Sequence, residues 1–145
     1  IGSKDKFDYT VIGDNVNVAS RIEGLTKYYH RALIISDTVY DKVKDIFPIR
    51  EVDMVKVKGR EKTTELYSVI LPEEERLDET FLKEYRKAIR MYHMRNWNIS
   101  LGYFRKIIER YPDDSLTKLY IERCERFLKN PPPDSWDGAT VFDFK

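Results

Sequence analysis

Cysteine is nearly absent from this chain. Cys124 is the single thiol among 145 residues, which excludes an intrachain disulfide and a cysteine-rich metal site. Histidine is almost as scarce, with His30 and His93 only, so a histidine-based metal centre is not expected. No apolar run is long enough to span a bilayer, and no signal-peptide pattern opens the chain. A charge excess is missing too. Lys and Arg total 26 against 25 Asp and Glu, a net of +1, so no strong field steers nucleic acid or an anionic membrane. These absences point to a reducing, cytoplasmic setting. An initiator Met is also lacking, and the opening Ile1-Gly2-Ser3 reads as the start of a piece of a longer protein.

What is present divides by period. The hydrophobic share, 41% with 13% aromatic, suffices for an ordinary core. Asp8–Gly13 is short and β-branched, as a strand would be. Val18, Ile22, Leu25 and Tyr29 follow at helical spacing, with Asp14 or Asn15 placed to cap their helix. Ala32–Ile35 reads as a short buried strand. Ser36 can cap a brief helix whose inner face holds Val39, Val43 and Ile46. Arg50–Lys58 and Glu65–Leu71 read as strands joined by a turn holding Gly59, Arg60, Glu61 and Lys62. Pro48 marks an edge strand or a bulge. This order predicts an α+β fold over residues 1–71.

Pro72-Glu-Glu-Glu-Arg76 breaks the pattern, so 72–78 is expected to be a linker. Helical stripes follow: Leu82, Tyr85, Ile89 and Tyr92; then Trp97, Leu101, Phe104 and Ile108; then Leu116, Tyr120, Cys124 and Phe127. Pro112-Asp-Asp-Ser115 ends the second helix and caps the third. Residues 131–145 read as an irregular arm, extended at Pro131–Pro133 and anchored by Trp136. His30 is expected at a helix end and His93 at the surface.

The chemistry concentrates in Gly13–Arg21. Asn17 and Arg21 are four apart at the start of a helix and project from one face, beside backbone N–H groups that favour anions. That pairing suits a phosphorylated ligand, though an exposed helix face commonly carries both residues for no other purpose.

Asp8–Arg21, DYTVIGDNVNVASR, resembles the signature of class III adenylate and guanylate cyclases. The second motif, Val57-Lys58-Gly59-Arg60, precedes a strand Glu65-Leu-Tyr-Ser-Val and lies where those enzymes carry a triphosphate-contacting lysine. The resemblance covers Ile1–Leu71. It implies a partial ferredoxin-like half-domain from the C-terminal part of the catalytic domain. It also implies conversion of ATP to 3′,5′-cyclic AMP and pyrophosphate, by attack of the ribose 3′-oxygen on the α-phosphorus. Arg21 matches the guanidinium that stabilises the transition state, and Asn17 the amide that orients the ribose. Lys58 matches the lysine on the β- and γ-phosphates, with Arg60 as helper or substitute. Thr10 stands at the base-selecting position, where adenylate members carry Asp or Thr and guanylate members Cys.

Asp14 reads as a structural cap, because the family's metal carboxylates lie elsewhere. Magnesium or manganese would be held by residues outside this chain, and so would the adenine-selecting lysine. The site implied is composite across a dimer; without those carboxylates the chain alone is expected to be inert, and an unpaired sheet edge with an uncovered apolar face predicts self-association. A second resemblance covers roughly Glu79–Asn130. Tyr85, Ala88, Tyr92, Trp97, Phe104 and Pro112 fall in the order of a tetratricopeptide repeat, on its scale of about 34 residues. The repeat's usual Gly before the Trp region is missing, and Ser100 replaces a small apolar residue. Two alternatives stand beside an adenylate cyclase. One is a guanylate cyclase, disfavoured by Thr10. The other is a decayed cyclase half whose helical tail binds a protein partner through residues such as Arg86, Arg90 and Tyr103.

Overall fold

The computed structural model describes residues 24–72 and 77–143. Residues 24–29 are helical and end at His30, whose φ of 55° turns the chain out of the helix. Strand β1 (Ile34–Ser36) leads into helix α1 (Asp37–Val43). Strands β2 (Ile49–Val57) and β3 (Thr63–Val69) form the long hairpin expected from their β-branched alternation. Helices α2 (Glu79–His93), α3 (Trp97–Arg110) and α4 (Ser115–Lys129) follow, and strand β4 (Thr140–Phe142) closes the described chain. The sheet order is β1-β3-β2-β4, antiparallel except where β4 runs parallel to β2. The architecture is mixed α/β, compatible with an α+β class.

Local chemistry explains the helix boundaries. Asp78 accepts a hydrogen bond from the Phe81 amide at 2.7 Å and so starts α2. Asp114 does the same for α4 through the Thr117 amide. Phe81, Tyr85, Ala88, Ile89 and Tyr92 make the buried stripe of α2; Trp97, Leu101, Phe104 and Ile107 that of α3; Leu116, Tyr120 and Cys124 that of α4. The α2–α3 connection is unusual. Arg95 adopts φ 67°, a left-handed conformation normally given to glycine. Its guanidinium donates to the Pro132 and Pro133 carbonyls and lies over the Trp97 and Trp136 rings. That clasp gives a reason for an arginine in this turn.

Several expectations are corrected by the packing. Ser36 occupies the N-cap position of α1 but makes no side-chain cap bond; Asp37 accepts from the Thr38 amide instead. No residue of α1 is buried, and Ile46 is 69% exposed, because the helix ends before Ile46 could join an inner face. Pro48 lies just before β2, its carbonyl accepting from Ile70. His93 is half-buried against Gly138, not at the surface. The segment read as an irregular arm carries β4, and Trp136 packs on Tyr92, Trp97 and Phe127. Three residues paired to a strand far away in sequence leave no local periodic signal. The regions on either side of 72–78 share one core. Val52, Val55 and Leu66 of the sheet cluster with Phe81, Tyr85, Phe104 and Tyr120 of the helices.

Candidate functional site: a basic turn beside a buried ion network

Lys58 and Arg60 sit in the β2–β3 turn, both exposed. The Arg60 amide donates to the Val57 carbonyl at 2.9 Å, closing a tight turn. Gly59, at its third position, takes φ 85°, which a type II turn requires and a side chain resists. Gly59 thus lets two cations stand on either side of it at the tip of the hairpin. The Lys58 amide points the other way, donating to the Phe142 carbonyl at 2.8 Å. Thr10, Asn17 and Arg21 lie outside the described residues, so the turn is the described part of the predicted site.

Behind the turn lies a cluster that sequence reasoning missed. A bulge at Val52 shifts the register from Glu51↔Tyr67 to Asp53↔Leu66, so Val52 and Asp53 are both buried in succession. Asp53 Oδ2 accepts from the Arg123 guanidinium at 2.8 Å, the Tyr29 hydroxyl at 2.6 Å and the Thr140 hydroxyl at 2.8 Å. Its Oδ1 accepts from the Met54 amide and the Tyr120 hydroxyl. A second buried pair joins Arg50 to Asp114 through two bonds of 2.7 and 3.0 Å, with the guanidinium against the Phe81 and Tyr85 rings. Burial alone would raise the Asp114 carboxyl, but the Arg50 hydrogen bonds and charge, with the Thr117 hydrogen bonds, hold it below its usual value. Burial likewise works against the Arg123 charge, and Asp53 outweighs it, raising the guanidinium pKa further. Asp114 is therefore both the cap of α4 and the counterion of β2. The only hint in the sequence was a charged Arg50-Glu-Val-Asp53 run inside a predicted strand.

These carboxylates do not fit a metal ion. Asp53 is already saturated by five donors, and among the described residues no three His, Cys, Asp or Glu side chains gather. A cleft of about 280 Å³ between sheet and α2 is walled by Glu51, Glu65 and His93. Burial raises the Glu51 carboxyl. An acidic wall repels a polyphosphate, and neither Lys58 nor Arg60 lines it.

His93 makes this region acid-sensitive. Burial lowers its pKa below the ordinary 6.5, and its Nε2 finds no partner among the described residues. On acidification the unfolded chain takes up this proton first, so the contribution is complete above pH 6.5 and is lost as pH falls through the folded value. The thermal midpoint is expected to fall as the pH is lowered from about 7.5 through 6.5 and below. His93→Phe should flatten that slope; an unchanged slope would exclude His93 as its source.

The fold and the basic hairpin thus define a mixed α/β unit with an exposed cationic turn and helices locked to its sheet. The comparisons give this unit relatives. The chain is 34% identical over 137 residues to "Adenylate cyclase, terminal-differentiation specific" of Dictyostelium discoideum, covering 89% of this chain and 6% of that protein. It is 39% identical over 70 residues to adenylate cyclase 1 of Rhizobium meliloti, and 44% identical over 72 residues to an adenylate cyclase of Anabaena cylindrica, each match covering 48% of this chain. The chain spans 6%, 10% and 14% of these relatives' lengths. No family model and no solved structure matches it. The chain therefore contains an adenylate cyclase-related region. A match over 89% of the chain cannot fit within residues 1–71, so the first relationship reaches into the helical part. No described helix is long and apolar enough to cross a membrane.

Proposed function

We propose that residues 1–71 are the C-terminal part of a class III adenylate cyclase catalytic domain, a partial ferredoxin-like half, and that α2–α4 are a TPR-like appendage. The observation that carries this reading is the similarity to proteins named adenylate cyclase, one of them across 137 residues. Asn17 would align the ribose, so that its 3′-oxygen meets the α-phosphorus in line. Arg21 would stabilise the charge that builds on the phosphoryl oxygens. Lys58 would meet the β- and γ-phosphates as a mobile point charge, with Arg60 one residue away. The Thr10 hydroxyl both accepts and donates, which suits adenine's amino edge and favours ATP over GTP. Magnesium or manganese would be held outside this chain, by carboxylates of a second protomer in a homodimer. The chain alone is then inert.

The test is product formation by the full-length protein. Cyclic AMP and pyrophosphate are expected from ATP, with little cyclic GMP from GTP. Lys58→Ala should raise the ATP KM about tenfold with a smaller change in kcat. Cyclic AMP formation by the purified chain would overturn its inertness. Absence of cyclase activity in the full-length protein would overturn the function and favour a protein-binding module.

A further inference from the structure

Residues 131–142 form a strap that begins at the α2–α3 connection and ends on Lys58. At its start, Arg95 holds the Pro132 and Pro133 carbonyls, and Trp136 packs on Tyr92 and Trp97 with ring centroids 5.6 and 5.9 Å apart. In its middle, Asp137 accepts from Lys56 Nζ at 2.9 Å. Gly138 turns the strap with φ 93°, so close to His93 that an added Cβ would lie 2.9 Å from the imidazole Cδ2. At its end, Thr140–Phe142 add a parallel strand to β2 at Val55–Val57, and Thr140 bonds to Asp53. The last rung is the bond from the Lys58 amide to the Phe142 carbonyl.

We infer that this strap is a positioning device for Lys58, coupling the helical region to the triphosphate contact; the inference rests on the role proposed for Lys58. A turn closed only by the Arg60–Val57 bond would leave the Lys58 backbone free to pivot at the hairpin tip. The Phe142 carbonyl removes that freedom, and the strap's anchors on α2 and α3 fix where the carbonyl stands. Phe142 touches no substrate on this reading. It acts through Lys58.

Proline at 142 supplies no N–H on the side that faces β2 and puts its ring there instead, so the end of β4 is pushed off β2 and its carbonyl leaves the Lys58 amide. Leucine keeps the backbone rung. In the full-length protein, Phe142→Pro is expected to raise the ATP KM about tenfold while kcat changes less than about twofold. Phe142→Leu should keep the wild-type KM. A wild-type KM for Phe142→Pro, or an equal rise for Phe142→Leu, would overturn the inference. Lys58→Ala, run alongside, separates the two ideas: no KM change there sinks the nucleotide role itself. If Phe142→Pro does not fold, hydrogen exchange of the wild-type protein decides. The Lys58 amide should be protected like those of β2, and exchange as fast as the Glu61 amide would overturn the rung.

Discussion

Replacing Asp53 by alanine is expected to destabilise the chain by about 3–5 kcal/mol, the cost of leaving a buried charge without its partner. The Arg123 guanidinium is buried to 4% side-chain exposure and has Asp53 as its counterion, itself at 0%. Removing the carboxylate strands that cation, and it also orphans the Tyr29 and Thr140 hydroxyls and the Met54 amide. Each orphaned donor adds a desolvation cost. Arg123→Ala is expected to cost less, because Asp53 retains its hydroxyl and amide donors. Asp53→Asn should not rescue the loss, since its NH₂ would face donors where an acceptor is needed. Urea unfolding checks the order Asp53→Ala, then Arg123→Ala, then wild type. An Asp53→Ala chain within about 1 kcal/mol of wild type would show that the network carries no such weight. This prediction concerns the joint between sheet and helices, because Asp53 lies on β2 and Arg123 on α4.

Arg21→Ala is expected to lower kcat of the full-length protein roughly a hundred- to thousandfold, the usual loss when a preorganised transition-state donor is removed. The ATP KM should move far less, because on the role proposed above the guanidinium would serve charge that develops only as the 3′-oxygen attacks. Lysine at this position should recover little, since an ammonium cannot reproduce the planar fork of donors. Equal losses in binding and turnover would instead make Arg21 a ground-state contact. No loss at all would remove the cyclase reading of the Asn17–Arg21 pair. The two predictions are independent: the Asp53 variant tests how the chain is held together, and the Arg21 variant tests what it does.

Legibility in the sequence tracked the distance over which each feature is decided. The β2–β3 hairpin and the three long helices could be read because alternation and helical stripes are written within each element. A turn could be read after Lys58 because Gly59 announces one; the strand in fact ends at Val57, one residue earlier, so Lys58 itself belongs to the turn. The α1 region misleads: the spacing that includes Ile46 is amphipathic, yet the helix stops at Val43 and Ile46 faces solvent. Ser36 looked like a cap and does not act as one, because Asp37 bonds the Thr38 amide instead. Asp53 gives no local signal of its burial, since a carboxylate in a strand ordinarily faces water. Only the bulge at Val52, set by pairing with β3, turns it inward.

The sequence by itself determined the local grammar of the chain and the motif Asp8–Arg21 with its companion Val57–Arg60, from which the cyclase resemblance follows. Those signals depend on neighbours along the chain, where side-chain period, caps and turn glycines act within a few residues. Tertiary structure alone decided that the helices are bolted to the sheet through Asp53–Arg123 and Arg50–Asp114, and that the last residues return as β4 to hold Lys58. Such pairings join residues 64 to 84 positions apart. Their stability comes from excluding water around charges and backbone groups that only the folded chain brings together.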